Sequence, residues 1–386
     1  MASMETPRLQ EPREHTQEKA PGKWTLEPSQ LELLLLLSVT AAVFILVMVL
    51  FHSFLATVEG SGDNAAFLRI ASAIRRWNFQ GLVVKAFWGL PYAMASISFL
   101  TRISDRNALL LVSYCSGVAA MVLAYRLWGG WIAGFFAILN FDWMQRLFLG
   151  GSEPLFMALL FGSFLSARRE RWLLAALLAA FATIVRPVGI FALVAIGLVL
   201  LWKRDFRKFA LATLSGAAVG CLYMVPLVLY FQNPLANVQR YQQTDWEGGW
   251  LLTYPFEAIV KSAFWHSAPI TNLVLTWAWI LFVLAGFVAL VFAQECRQYW
   301  RTRPAETLFA VAYLAFIYTY NSPHWIRGSF PRFAIPILPF VLLALLKWVP
   351  KDRRLLWALA LISPVLAACS AVGIRNVAEI VRYKLF

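Results

Sequence analysis

Residues 33–55 read LLLLLSVTAAVFILVMVLFHSFL, a run without Asp, Glu, Lys or Arg. The hydrocarbon core of a bilayer takes about 20 apolar residues of helix, so this stretch is long enough to cross one. It is too long for the core of a secretory signal and lacks a basic flank, which reads as a retained span rather than a cleaved leader. Ten further apolar runs follow, near 107–126, 131–147, 153–167, 172–185, 187–202, 209–231, 270–293, 305–320, 333–348 and 355–373. Short polar clusters separate them. The pattern predicts an all-α polytopic membrane protein with about eleven transmembrane helices.

Composition points the same way. The 386 residues are 60% hydrophobic and 14% charged, which excludes an ordinary water-soluble domain. A formal charge of +14 would suggest nucleic acid as the partner of a soluble protein. Here the Lys and Arg residues cluster between apolar runs, where they orient helices and meet anionic headgroups, so membrane lipids and no nucleic acid are expected. Residues 1–30 mix both charge signs with Pro7, Pro12, Pro21 and Pro28 and read as a disordered cytosolic tail. Residues 31–386 then form a single transmembrane domain.

The segment 86–101 carries Pro91 among interfacial aromatics, and its placement decides the orientation of everything after it. If it lies at the interface, the basic clusters at 168–171, 203–204, 207–208, 297–303 and 347–354 all share the side of the N-terminus. If it crosses, they all move to the other side. The positive-inside rule favours the first arrangement. Residues 56–106 are then the first external loop, 232–269 a second large one, and 321–332 a short third. Phe67, Ile70, Ala71 and Ile74 recur at helical spacing with Arg69, Arg75 and Arg76 off the stripe, which predicts an amphipathic helix lying on the membrane.

Several polar residues stand where chemistry is expected. Asp63 follows Glu59-Gly60-Ser61-Gly62, a flexible stretch just past the first span. Glu153, in Gly150-Gly151-Ser152-Glu153-Pro154, opens another span at the same face. With Ser152 as cap and Pro154 in the first turn it also suits a helix N-terminus, so a structural role stands beside a chemical one. Asp142, at the end of the preceding span, joins these acids. Arg186 sits with Pro187 between two apolar runs, where a turn is expected and a guanidinium is costly unless it faces a cavity or partner. Its planar donors fit a phosphate.

Tyr241, Trp246 and Trp250 in the second large loop can stack on a sugar or anchor at the interface. There is no Walker loop, dinucleotide fingerprint or His-Glu-x-x-His pattern, so a cytosolic nucleotide donor has no recognisable site. His15, His52, His266 and His324 show no paired ligand spacing, and no zinc centre is expected. A divalent cation held by carboxylates stays open.

Four stretches together resemble the GT-C superfamily of polytopic glycosyltransferases, and within it the second mannosyltransferase of GPI-anchor assembly with its bacterial relatives. They are Asp63 followed by Phe67-Leu68-Arg69-Ile70-Ala71 and Phe87-Trp88-Gly89-Leu90-Pro91-Tyr92; Gly151-Ser152-Glu153-Pro154-Leu155-Phe156; Arg186-Pro187-Val188-Gly189; and Arg332-Phe333 with Pro336 and Pro339. Order and spacing agree over about residues 30–348. The chain departs from the family at Gly62, where tryptophan is usual, at Gly89, where a proline is, and at Pro154, where a serine is.

The resemblance implies a GT-C-like first external loop with interfacial helices and an inverting transfer of mannose or another hexose. The donor would be a polyprenyl-phosphate sugar and the acceptor a lipid or glycan, on the non-cytosolic face. In such a reaction Asp63 would be the general base and Glu153 would orient acceptor or base. Arg186, Arg332 and Arg69 would hold the donor phosphate, while Asp142, Tyr241, Trp246 and Trp250 would line the acceptor and sugar. The chain has no Asn-x-Ser/Thr acceptor, which leans towards a bacterial cell membrane, with the endoplasmic reticulum as the alternative. A lipid-linked oligosaccharide flippase or transporter is the competing class. It would place polar residues at mid-membrane depth, whereas here they collect in loops.

Overall fold

The computed structural model describes residues 27–51, 54–60, 63–80, 82, 85–263, 270–292 and 294–372. The expected tail lies outside them as far as residue 26. Among the described residues the regular structure is helical, with one isolated bridge between Leu252 and Tyr320.

Helix α1, Gln30–Leu50, begins at Ser29, whose hydroxyl accepts from the Glu32 N–H at 3.1 Å and so satisfies an N-terminal donor. Three short helices follow at its far end: α2, Phe54–Gly60, α3, Asn64–Arg76, and α4, Gly89–Thr101. Both ends of α4 stay at that end of the molecule. Gly89 lies against the backbone of Ile184 and Val185, and Ser98 donates to the Asp105 carboxylate at 2.8 Å, which also takes Arg75 at 3.1 Å.

The stripe on α3 differs from the expectation of a helix lying on lipid. Phe67, Ile70 and Ala71 are buried in a small core with Trp88, Leu90, Met94 and Leu109, because α4 and α5 cover that face. A proline at position 89 would fail for a related reason. A Cβ there would stand 2.6 Å from the Val185 amide nitrogen and 2.8 Å from the Ile184 carbonyl carbon, so only glycine lets α4 dock this closely.

Helix α5, Asp105–Trp128, returns to the opposite end and is followed by α6, Gly130–Leu139, α7, Phe141–Leu149, and α8, Ser152–Arg168. The run 131–147 is thus not one helix. Asn140, fully buried, breaks it: its side-chain oxygen accepts from the Trp143 N–H at 3.0 Å, and its amide donates to the Pro331 carbonyl at 2.8 Å. Helices α7 and α8 meet at a 105° bend. The cap of α8 is Gly151 rather than Ser152, and the Ser113 hydroxyl takes the Gly151 N–H at 3.1 Å.

Then come α9, Trp172–Val185, the 3-10 turn Pro187–Gly189, α10, Ile190–Trp202, and α11, Phe206–Phe231. Helices α12, Ala236–Thr244, and α13, Glu257–Ala263, precede α14, Ile270–Phe292, α15, Gln294–Thr302, and α16, Pro304–Thr319. The chain closes with α17, Pro323–Ala334, α18, Leu338–Ala344, and α19, Arg353–Ala371.

Among the described residues four helices, α1, α5, α11 and α19, are long and apolar enough to cross a membrane, or five spans if the bent α7–α8 pair counts as one. Of the other apolar helices, α6, α9, α10 and α16 have 10–16 residues, and α14 counts 17 over its fully described part, 276–292. Such helices rise roughly 15–25 Å, short of the ~30 Å hydrocarbon layer, so helix length does not carry the expected count of eleven. The run 333–348 is interrupted likewise, with Pro336 between α17 and α18. The chain is nevertheless a multi-pass membrane protein, packed around buried Trp143, Phe156, Phe161, Phe164, Phe309 and Phe340.

Opposite the α2–α4 layer, one clasp ties the loop ends together. Arg168 reaches both Glu306 oxygens at 2.6 and 2.8 Å and the Leu127 carbonyl at 2.6 Å. Tyr299 also donates to Glu306 and accepts from the Trp128 indole N–H at 2.8 Å. Removing one partner of such a buried pair strands the other charge, so Glu306→Ala should cost ~3 kcal/mol of stability, read as a fall in the unfolding midpoint in detergent. An Arg168→Met/Glu306→Leu double variant should recover most of it. The packing also predicts that Gly89→Ala forces α4 off α9 and costs about 1–3 kcal/mol by the same assay.

Candidate active site

The α2–α4 end gathers charge from four distant stretches. Asp63 occupies the turn before α3, with its carbonyl accepting from the N–H groups of Ala66 and Phe67, each at 3.0 Å. Its neighbour Asn64 is fully buried and donates to the carbonyls of Val58 at 2.7 Å and Leu149 at 2.9 Å. Those two bonds fasten the start of α3 to α2 and to the end of α7, so the Asp63 backbone cannot drift. Its carboxylate, 40% exposed, accepts from Arg332 Nη2 at 2.9 Å.

Arg332 stands in the last turn of α17, held from behind by the Asn140 bond to the preceding carbonyl. Its Nε donates to Glu153 Oε1, and Arg186 Nη1 donates to the same oxygen. Glu153 is 1% exposed in the first turn of α8. Arg186 is brought there because its backbone leaves the helix at φ −145°, ψ 128°, before the Pro187–Gly189 turn carries the chain into α10. Gly151 leaves room for the cluster: a Cβ there would stand 2.8 Å from Arg146 Cδ and 2.9 Å from Glu153 Oε2.

Asp142, half-buried in the first turn of α7, lies in the field of Arg146, Arg332 and Glu153. Arg146, buried on the same helix, acts on Asp63, Asp142, Glu153 and Arg332. Three carboxylates and three guanidiniums therefore share one end of the bundle. Burial pushes the Asp63 carboxyl up, but the Arg332 guanidinium, with Arg146 behind it, more than offsets this and holds it below the ordinary value of 3.8.

The stretch from α12 to residue 256 roofs this cluster. The Tyr241 ring stacks on Phe87 at 6.1 Å, with Lys85 Nζ 5.6 Å from its centre. Its phenol feels Asp63, Tyr320, Arg332 and Arg186, and burial raises it above the usual tyrosine range. The Trp246 indole donates to the Tyr320 hydroxyl at 3.3 Å. Lys85 pairs with Asp245 at 2.7 Å.

Of the residues expected at a site, Asp63, Asp142, Glu153, Arg186 and Arg332 come together, with Tyr241 against them and Trp246 in the roof. Two do not. Arg69 is exposed on α3, its Nε donating to the Ala65 carbonyl one turn back at 3.2 Å. Trp250 is 75% exposed and leaves the cluster altogether. The side chains of 324–328 lie outside the description.

Arg186 and Arg332 both close over one oxygen of Glu153, so in this arrangement it braces them. Arg146 was missed although it sits in the apolar run 131–147, where the cost that singled out Arg186 applies equally. The Lys85–Asp245 pair spans 160 residues and has no local signal. Among the described residues no three His, Cys, Asp or Glu side chains could hold a metal ion.

The family described as Glycosyltransferase family 87 matches residues 87–323, more than half of the chain. No curated protein and no solved structure gives a match, so the narrower likeness to the second GPI mannosyltransferase gains no support. The matched stretch contains Asp142, Arg146, Glu153, Arg186 and Tyr241, whereas Asp63 and Arg332 lie outside it and are tied in by the ion pairs alone. Membrane helices, a buried charge cluster at one end and this match agree, and the chain belongs to glycosyltransferase family 87, a membrane glycosyltransferase family of the GT-C type.

Proposed function

We propose that the protein moves a hexose, mannose being the first candidate, from a polyprenyl-phosphate donor to a lipid- or glycan-linked acceptor at the non-cytosolic membrane face, with inversion. One observation carries the reading: a partly exposed carboxylate, Asp63, is tied to Arg332, whose guanidinium shares Glu153 with Arg186. A base and two cations within one site suit the displacement of a phosphate from an anomeric carbon.

In this reaction the acceptor oxygen forms its bond to the anomeric carbon while the bond from that carbon to the phosphate oxygen breaks. The hydroxyl proton passes to Asp63, and the lipid phosphate leaves as an anion. Arg332 and Arg186 face the developing charge, since a guanidinium has five N–H donors and Glu153 takes one from each. Glu153 positions both. Arg146 adds positive potential from below, Asp142 lines the acceptor side, and Tyr241 and Trp246 offer aromatic faces to sugar. The basic residues Arg168, Lys203 and Arg353 gather at the opposite end, which supports a cytosolic location for that end and an external one for the site. We read the shorter apolar helices as spans completed by their turns and neighbours.

Three outcomes test the reading in membranes supplied with polyprenyl-phosphate mannose and glucose. Asp63→Asn should lower kcat by about 10²–10⁴-fold, and full transfer by this variant would remove Asp63 as base. Glu153→Gln should cost at least as much, because both arginines lose their anchor. The pH profile carries a sign. A carboxyl held below 3.8 stays ionised as the medium is acidified, so kcat/KM should stay level from neutrality down to roughly pH 5. In Arg332→Gln the carboxyl loses the cation that lowers it, and the acid limb should move to higher pH.

A further inference from the structure

The roof has a chemistry of its own. It is sewn to the first loop by Asn237, whose amide donates to the Ala86 carbonyl at 2.8 Å, and by the Lys85–Asp245 pair. On the other side Asn321 donates to the carbonyls of Glu247 at 2.7 Å and Trp250 at 3.0 Å, and the Ser322 hydroxyl donates to the Asp245 carbonyl at 2.9 Å. Along this seam three buried oxygens have no hydrogen-bond partner among the described residues: Asn237 Oδ1, Asp245 Oδ2 and Asn321 Oδ1. Each belongs to a side chain more than nine-tenths buried, and that of Asp245 is 5% exposed.

All three are acceptors, so what the seam lacks is donors. The phosphodiester of the donor offers none at neutral pH, whereas a sugar offers several hydroxyls. Asp245 is the strongest of the three because it is charged, and an uncompensated carboxylate oxygen is the most costly to leave dry. Lys85 holds one of its oxygens and so fixes the direction of the other. It stands beside the site: Tyr320 lies in the fields of both Asp245 and Arg186, and Trp246, the next residue, bonds to Tyr320.

We propose that Asp245, oriented by Lys85, is a specificity residue that accepts a hydrogen bond from one sugar hydroxyl when the rim of the roof lifts to admit substrate. The inference rests on the glycosyltransfer reading above. The hydroxyl can belong to the donor sugar or to the acceptor, and the two arms of the test separate these sources. Full-length protein in membranes is assayed with short-chain polyprenyl-phosphate mannose and each of its monodeoxy forms, then with methyl mannoside as acceptor and each of its monodeoxy forms.

In wild type, loss of the hydroxyl that Asp245 reads should cost roughly 10- to 100-fold in kcat/KM. In Asp245→Asn that one penalty should shrink to less than about threefold while the penalties at other hydroxyls persist. Lys85→Met tests the orienting role, since it keeps the carboxylate but frees it to turn, and should lower the penalty at that one hydroxyl part-way while the others persist. Equal losses on every sugar in both variants would reduce the pair to a structural latch and overturn the proposal, as would unchanged discrimination in Asp245→Asn.

If wild type transfers nothing from any donor, the glycosyltransfer reading fails separately. Saturation-transfer NMR of methyl mannoside and its monodeoxy forms then decides the point. A saturation signal that disappears beside one hydroxyl in Asp245→Asn supports the assignment, and identical spectra for the two proteins sink it.

Discussion

A single carboxylate oxygen, Oε1 of Glu153, receives Arg186 from one side and Arg332 from the other. Nearly all of the surrounding architecture serves that meeting. A carboxylate this deeply buried costs several kcal/mol to desolvate, so it persists only with cations against it, and each cation needs its own segment delivered to the right place. The broken helix after Val185 delivers Arg186, and the last turn of α17, pinned through Asn140, delivers Arg332. Arg332 then extends the chain of ion pairs to Asp63, whose position Asn64 secures. One acid thus fastens α8, the α9–α10 turn, α17 and the start of α3 into one site.

The two charged ends of the molecule obey the same electrostatics with different consequences. At the basic end Arg168 is surrounded by acceptors on every side: two oxygens of Glu306, the Leu127 carbonyl and the Tyr299 hydroxyl. Four of its five N–H donors are taken up in this way. At the other end the pairing is incomplete, because Asp63 opens towards solvent while its arginine partner is anchored behind it. A polar cluster that faces inward on all sides holds helices together. One that keeps a carboxylate at its mouth and guanidiniums beneath can meet an incoming hydroxyl and phosphate.

How far the site could be read from the chain depends on the residue. Arg186 and Glu153 were legible because a charge beside proline or glycine at the edge of an apolar run is costly wherever the chain folds. Arg146 carried the same solvation cost without a flanking proline or glycine and was overlooked inside a run read as a single span, and that run proved to be two helices separated by Asn140. Arg69 and Arg332 both stand in stretches read as external loops, yet one returns to its own helix and the other ties two acids. Which way a helix faces decides between them. The stripe on α3 was correctly seen as apolar, and only the presence of α4 and α5 above it shows that it meets protein rather than lipid.

The chain alone therefore determined that this protein lives in a membrane, that its regular structure is helical, and which charges needed partners. These follow from transfer free energies and backbone chemistry, which act residue by residue. Tertiary structure decided which charges answer one another: Glu153 with Arg332 across 179 positions, Arg332 with Asp63 across 269, Lys85 with Asp245 across 160. Solvation cost is a local property of a side chain, whereas an ion pair is a distance, and distances between remote segments exist only once the helices have packed.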